Sequence, residues 1–406
     1  MKGILVGVKY PQMTYDFEVS MQELEQLAFA CDIEVKTVVI QNLEVISPKY
    51  YIGKGKVMDI GELLETDDIV IFNEELTPLQ MKNLTDIWQV EVTDRSDLIL
   101  RIFALRAKTK EAKLQVEMAR LEYTLPRLAG MKQHLYSQQG GMGFRGAGEK
   151  QIELDRRRIR RQLTQAKREL ETIEKQRQTQ RQLRKHHQEK VVCLVGYTNS
   201  GKSSLLNHFT KKKVDAKDML FASLQTASRR IYFKKHHLIM NDTVGFIHQL
   251  PHSFVQAFRS TLEEVKDADL LLHIIDVSSP YYHNQIETTL SVLKDIGAHH
   301  IPMIYVYNKI DLLPQLPIFE QENSIGISVK ENLYFNELED MIIHTLFKDY
   351  ELIHVYIPYE QGDIFSNIEY QYEIVQLEYL DNGIDVSFYV NQAHKSRYLP
   401  FIKTDG

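Results

Sequence analysis

The sequence predicts an α/β protein of several domains, and three observations carry that prediction. Apolar, β-branched runs such as Val35–Ile40, Ile69–Phe72, Val191–Val195 and Met303–Tyr307 alternate with stretches of helical period. A glycine-rich loop, Gly196-Tyr197-Thr198-Asn199-Ser200-Gly201-Lys202-Ser203, stands between one such run and the helix-like Ser204–Phe209. A chain of 406 residues, 43% of them hydrophobic, is too long for one ordinary domain and has apolar material for several cores.

Residues 1 to 95 read as a small α/β domain. Met1–Val8 is too short for a signal segment and reads as a first strand. Met21–Ala28 is helix-like, and Val35–Ile40 and Asp68–Phe72 are strands. Thr77 and Pro78 stand as N-cap and first residue of a further helix. Gly53-Lys54-Gly55-Lys56 has phosphate-loop composition but lacks the spacing and the terminal hydroxyl. It reads as a turn, with an RNA-facing loop as the alternative.

Residues 96 to 187 carry two helical stripes. Ala107, Leu114, Met118, Leu121 and Leu125 recur at seven, four, three and four, and Pro126 is expected to end that helix. Ile159, Leu163, Ala166, Leu170 and Ile173 recur at four, three, four and three, on a helix expected from near Ile152 to about His187. Roughly 36 helical residues span about 54 Å. Two such stripes joined by a loop predict an antiparallel helical hairpin.

The joining loop holds five glycines between Gly140 and Gly148, with Phe144 and Arg145 among them. Such a stretch is no packed core element. It is either a linker or a tip that approaches another surface, where Phe144 and Arg145 could stack on bases or pair with phosphates. Residues 151–190 carry 13 Lys/Arg against 6 Asp/Glu in a chain whose formal net charge is −6. A solvated helix surface explains such a run. The concentration at Arg156, Arg157, Arg158, Arg160 and Arg161 favours contact with a phosphate backbone.

Residues 188 to 349 hold the chemistry. In the strand–loop–helix order of residues 191–209, glycines let backbone N–H groups from Gly196 through Ser203 and Ser204 converge on polyphosphate oxygens. Lys202 adds positive charge over the β- and γ-phosphates, and the Ser203 hydroxyl suits Mg²⁺. Asp242-Thr243-Val244-Gly245 follows another apolar run. Asp242 is placed to hold Mg²⁺ through water, and Gly245 to offer its N–H to the γ-phosphate. Asn308-Lys309-Ile310-Asp311 chooses the base. A carboxylate at Asp311 accepts from N1–H and the 2-amino group of guanine, whereas adenine would leave it unpaired. Lys309 lays its stem over the base, Asn308 ties this loop to the phosphate loop, and Ser328-Val329-Lys330 fits the loop beside O6. Four motifs in this order within one nucleotide-domain length predict a GTPase using GTP/GDP and Mg²⁺. The fold expected is therefore a P-loop GTPase domain with an N-terminal α/β domain, a long helical hairpin and a small α/β C-terminal domain.

Phe246 stands where many GTPases have a Gln that orients the attacking water. A phenyl ring cannot do this, so water orientation comes from a partner, or from another side chain such as His248 if Phe246 only packs. Arg259, Thr261 and Glu263 are expected on a helix that responds to the γ-phosphate.

Residues 350 to 406 read as a small α/β domain. Leu352–Ile357 is a strand closed by Pro358, and Tyr372–Tyr379 and Ile384–Val390 flank Asp381-Asn382-Gly383 as a hairpin with Asn-Gly turn chemistry. Cys31 and Cys193 sit in apolar surroundings without metal-type spacing, which predicts a reduced, cytoplasmic chain. No apolar run approaches a membrane span. The pairs His186-His187, His236-His237 and His299-His300 have no metal-ligand company and read as surface residues.

These motifs, with the Tyr51–Lys56 turn and the glycine loop followed by Glu153-Leu154-Asp155-Arg156-Arg157-Arg158, resemble the HflX family of ribosome-associated translational GTPases. The resemblance runs to about residue 350. It implies binding to the large ribosomal subunit and GTP-dependent splitting of stalled ribosomes, by a monomer whose hairpin reaches toward the peptidyl-transferase centre. The Gly140–Gly148 loop and the Arg156–Arg161 helix would then contact rRNA. Phe221, Ala222 and Ser223 match the first switch, with Ser223 supplying a hydroxyl to Mg²⁺ and the γ-phosphate and acting with Lys202 and Gly245 in catalysis.

The chain departs from the family pattern at Phe144 and Ala147, where a Thr and a Pro are usual, and at Ala222-Ser223-Leu224-Gln225-Thr226-Ala227. The changed tip marks a divergent member, similar to forms that rescue drug-stalled ribosomes. Two other functions stay in view: a large-subunit assembly or signalling factor that splits nothing, and an ATP-driven RNA remodeller, against which Asn308–Asp311 argues.

Overall fold

The computed structural model describes residues 1–13, 15–131, 145–186, 189–210, 227–233, 236–243, 245–246, 264–315, 319, 321–372 and 374–403. The chain divides into two compact units, one of Met1–Ile173 with Lys217–Gln225 and Phe246–Ser260, the other of Glu174–Ala216, Thr226–Gly245 and Thr261–Gly406.

The first unit holds four parallel strands, β1 (Lys2–Lys9), β2 (Glu34–Asn42), β3 (Asp68–Phe72) and β4 (Glu91–Asp94), in the order β2-β1-β3-β4. Helices over Phe17–Ala30, Lys54–Leu63, Pro78–Trp88 and Arg95–Arg106 connect them. Ile4, Val6, Val70, Phe72, Leu84 and Trp88 form one face of the core. Thr77 caps the Pro78–Trp88 helix as its sequence predicts, and the structure adds a reciprocal capping box with Gln80. The Gly53–Lys56 stretch is not a turn. Gly53 is the N-cap of the Lys54–Leu63 helix, its N–H donating to Gln41 Oε1 at 2.9 Å.

The helical stretch differs from expectation in three places. The period running through Ala107 is broken there, because the Arg95–Arg106 helix ends and a new one opens at Lys110. Pro126 does not end that second helix, which continues to Met131. Next to Pro126, Arg127 is buried to 3% exposure. That guanidinium donates to Tyr123 O (2.8 Å), Leu76 O (3.0 Å) and Glu75 (2.9 Å), and lies 3.5 Å from Asp94. Finally, the long basic helix begins at Arg145 rather than near Ile152 and runs 42 residues to His186. Gly146 and Gly148 thus enter it, at about 1 kcal/mol each against alanine. Residues 132–144, with most of the glycine loop and Phe144, lie outside the described residues. Lys110–Glu169 (3.0 Å) and Lys167–Glu122 (3.7 Å) link the two helices.

The second unit is built on a six-stranded sheet ordered β10-β9-β8-β5-β7-β6. Its strands are β5 (Lys190–Gly196), β6 (Ala227–Phe233), β7 (His236–Asp242), β8 (Leu270–Asp276), β9 (Met303–Asn308) and β10 (Ser324–Gly326). All pair in parallel except β6, which runs antiparallel to β7. One face packs Leu194, Leu272, Ile274 and Val306 with Leu205, Phe335 and Ile342. The other carries Ile275 and Tyr307 against Ile286 of the Tyr282–Asp295 helix. Burial on both faces explains the nearly continuous apolar runs.

A three-stranded antiparallel sheet, β11 (Tyr350–Pro358), β13 (Gly383–Asn391) and β12 (Ile374–Leu380) in that order, closes the chain. The hairpin is present, but its chemistry is not Asn-Gly. Leu380 pairs with Gly383, so Asp381 and Asn382 are the loop, and neither has positive φ. Gly383 serves close approach instead: a Cβ there would stand 2.6 Å from Ile357 O and 2.7 Å from the Tyr356 ring. His236 is half-buried, its ring lying 4.2 Å from Phe347 and 4.6 Å from Tyr389. No helix among the described residues is long and apolar enough to cross a membrane.

Candidate active site

Five parallel strands deliver their C-terminal ends to one edge of the six-stranded sheet, where α/β folds bind ligands. Those ends are Gly196, Asp242, Asp276, Asn308 and Gly326, so all four predicted motifs are neighbours by topology alone.

The phosphate loop leaves β5 at Gly196, whose φ of +140° and contact with the Ile274 carbonyl exclude a Cβ. Asn199 adopts φ +62° and Gly201 φ +99°, turning the chain into the Lys202–Thr210 helix. This gives the helix N-terminus and its free N–H groups to the loop's concave side. Thr198, Ser200 and Lys202 are buried, while Ser203 and Ser204 are half-exposed.

Lys202 donates to the Gly196 and Tyr197 carbonyls at 3.0 and 2.5 Å. Burial lowers its pKa to about 8, with the Asp242 carboxylate pulling the other way. A buried ammonium so held is a charge prepared for an anion. Ser203 donates to Asp242 Oδ2 at 2.6 Å, which brings together two of the oxygen donors expected to serve Mg²⁺. Gly245 lies beneath the loop, where a Cβ would stand 2.9 Å from Lys202 Nζ and 2.9 Å from Thr198 Cα.

The base loop is tied in by Asn308. Its Nδ2 donates to Ser200 O at 2.9 Å, and its Oδ1 accepts from Val329 N at 3.2 Å, joining the loops of residues 196–203, 308–311 and 328–330. Gly201 makes room for this bond, since a Cβ would fall on Asn308 Nδ2. Ser328, fully buried, donates to Asp311 Oδ1 at 2.5 Å and fixes the carboxylate expected to read the base. Lys330 is exposed beside it.

Phe221, Ala222 and Ser223 lie outside the described residues, as do His248, Arg259, Thr261 and Glu263. Phe246 is described and buried. Reading the sequence by motif misses three groups on this edge. Thr243 donates to Leu194 O at 2.6 Å, buried His273 has its pKa lowered to about 3 by burial and then by Lys202, and Asp276 pairs with Lys309 at 2.6 Å. A carboxylate closing the apolar run Leu270–Ile275 was a legible signal for Asp276; nothing in the sequence set His273 apart.

A phosphate loop with a buried lysine, a hydroxyl–carboxylate pair and a bracketed base loop on one parallel sheet edge define a P-loop GTPase. Family comparison agrees along the chain. Residues 18–104 match a GTP-binding GTPase N-terminal region, 106–184 a GTP-binding GTPase middle region, and 191–309 a 50S ribosome-binding GTPase. The chain is 43% identical to GTPase HflX of Caldanaerobacter subterraneus subsp. tengcongensis, covering 95% of this chain and 90% of that protein. It is 37% identical to GTPase HflX of Escherichia coli, covering 96% and 93%. Among solved structures it is similar to a complex of SsGBP and GDP at 26% identity and TM-score 0.49, covering 86% of this chain and 99% of that one. The protein belongs to the HflX family of GTPases.

Proposed function

We propose that this GTPase acts in the cytoplasm on the large ribosomal subunit, where hydrolysis of GTP is coupled to splitting or rescue of stalled ribosomes, drug-stalled ones included. The observation that carries the reading is the joining of three nucleotide loops by Asn308 in a chain that also bears the exposed arginines Arg157, Arg158, Arg160 and Arg161. The match of residues 191–309 to a 50S ribosome-binding GTPase supports the same partner.

In this reading the N–H groups of residues 197–204 bind the phosphates. Lys202 leaves the Gly196 and Tyr197 carbonyls for phosphate oxygens, and Gly245 donates its N–H to the γ-phosphate. Asp311, Lys309 and the loop of residues 328–330 hold guanine. Ser203, Asp242 through water and Ser223 would hold Mg²⁺, which neutralises charge on the transferred phosphoryl group. The Ser203–Asp242 oxygens, 2.6 Å apart, fit the donor chemistry of a hard cation. Buried Phe246 cannot orient water, so turnover is slow until the ribosome supplies that function.

The test is GTP hydrolysis with and without purified ribosomes and large subunits, alongside ATP. Strong stimulation by large subunits supports the switch, and a slow rate unchanged by ribosomes sinks it. Sucrose gradients with whole ribosomes then separate splitting from an assembly role, which would leave whole ribosomes intact.

A further inference from the structure

We propose that Asp276, which belongs to none of the nucleotide-contacting loops, is a positioning residue for Lys309 and so for the purine ring. Asp276 and Asn308 are cross-strand partners at the ends of β8 and β9, and Val277 N donates to Asn308 O at 3.1 Å. The carboxylate is held on one oxygen by Ser278, whose N–H and hydroxyl donate to Oδ1 at 3.1 and 2.6 Å. Its other oxygen takes Lys309 Nζ at 2.6 Å. The pair is mostly shielded, with side-chain exposures of 26% for Lys309 and 17% for Asp276.

Lys309 needs this hold for two reasons. Its backbone is left-handed, φ +67° and ψ +32°, a conformation that costs a non-glycine residue and persists where surroundings fix it. Its free side chain would also sample many rotamers, whereas a shelf for a planar ring requires one. Anchoring the ammonium at Asp276 leaves the four-carbon stem laid out between two fixed ends. A lysine stem is apolar enough to cover a purine face once its charge is satisfied. The carboxylate thus acts on the base through Lys309 and touches neither phosphates nor ring edge. The proposal rests on the guanine reading of the 308–311 loop.

The experiment is displacement of a fluorescent GDP analogue by GDP, IDP, ADP and tripolyphosphate. It compares the wild type with Asp276→Asn, Asp276→Glu, Lys309→Ala and the Asp276→Asn/Lys309→Ala double variant. Asp276→Asn should weaken GDP and IDP equally, by about tenfold, the scale of a lost charged hydrogen bond. Tripolyphosphate should be unaffected, Asp276→Glu should recover part of the loss, and Asp276→Asn should add nothing in the Lys309→Ala background. An equal loss for tripolyphosphate, or an undiminished effect without Lys309, overturns the proposal. If Asp276→Asn does not fold, Ser278→Ala should give the same pattern at smaller amplitude, and a base-independent loss there also overturns it. A wild type that holds GDP no tighter than ADP removes the base reading itself. A GDP-selective wild type with an unaffected Asp276→Asn removes this proposal alone.

Discussion

At the scale of single residues the site is defined by what Lys202 gives up. An ammonium with pKa lowered to about 8 by burial loses its proton far more readily than an exposed lysine. Phosphates favour the charged form, so GDP binding near pH 8 should take up a proton, and affinity should fall as pH rises through 8. Stability of the nucleotide-free protein moves oppositely. Between about 8 and the unfolded value of 10.5 the unfolded chain binds more protons, so this group's contribution to stability rises with pH across that window. Titration calorimetry in buffers of different ionisation enthalpy measures the uptake directly, and proton release at pH 8 would contradict it. Asp311 carries a second prediction. Fixed by Ser328 at 2.5 Å, its carboxylate is proposed to accept from guanine N1 and N2. Asp311→Asn should shift preference from GTP to xanthosine triphosphate by a factor of about 10 to 100, and unchanged GTP affinity would refute the assignment. Both residues were legible from motif spacing. Asp276 and His273 fall outside those motifs, because a motif names loops and leaves aside what the intervening strands bring beside them, although a carboxylate closing the Leu270–Ile275 run was a signal for Asp276.

At the scale of elements, local signals were most faithful where chemistry is local. The Thr77 cap followed by Pro78, the β3 run Asp68–Phe72 and the strand leading to the phosphate loop stand as the sequence places them. Errors arose where distant residues decide. Pro126 signals a helix end, yet the helix continues through it, and Arg127, one residue on, reaches back to Tyr123 and out to Leu76 and Asp94. An apolar-period reading discounts a charged residue and so passes over Arg127, which bonds to four groups. Burial raises the Asp94 pKa to about 6, with Arg127 opposing. Arg127→Ala would leave the carboxylate buried without that partner and should cost about 3–5 kcal/mol in urea unfolding near pH 8. The sign of the pH effect follows. Removing the guanidinium moves the Asp94 pKa further up, so in the variant the carboxyl is neutral at pH 5 and charged at pH 8. The loss should therefore be smaller at pH 5 than at pH 8, and a pH-independent loss would mean that packing, not charge, is what Arg127 supplies.

At the scale of the whole molecule, the phosphate loop and the arginines of residues 156–161 belong to different compact units, which lets their contributions to binding be measured separately. The helix over Arg145–His186 turns Arg157, Arg158, Arg160 and Arg161 to solvent. Arg157 pairs with Glu153 at 3.1 Å, leaving the other three more available to an outside anion. Exposed pairs within a helix contribute little to stability, so replacing these arginines should leave the fold intact. Phosphate contacts behave otherwise. Each releases counterions, and each contact removed flattens the plot of log affinity against log salt by about 0.7 to 0.9. Replacing Arg158, Arg160 and Arg161 by Gln should weaken binding to large subunits most at low salt and reduce that slope by about 2. GDP affinity should not change, because none of these side chains belongs to the unit that holds the phosphate loop. An unaltered slope would make the arginine run a solvated helix surface and move the ribosome contact elsewhere in the chain.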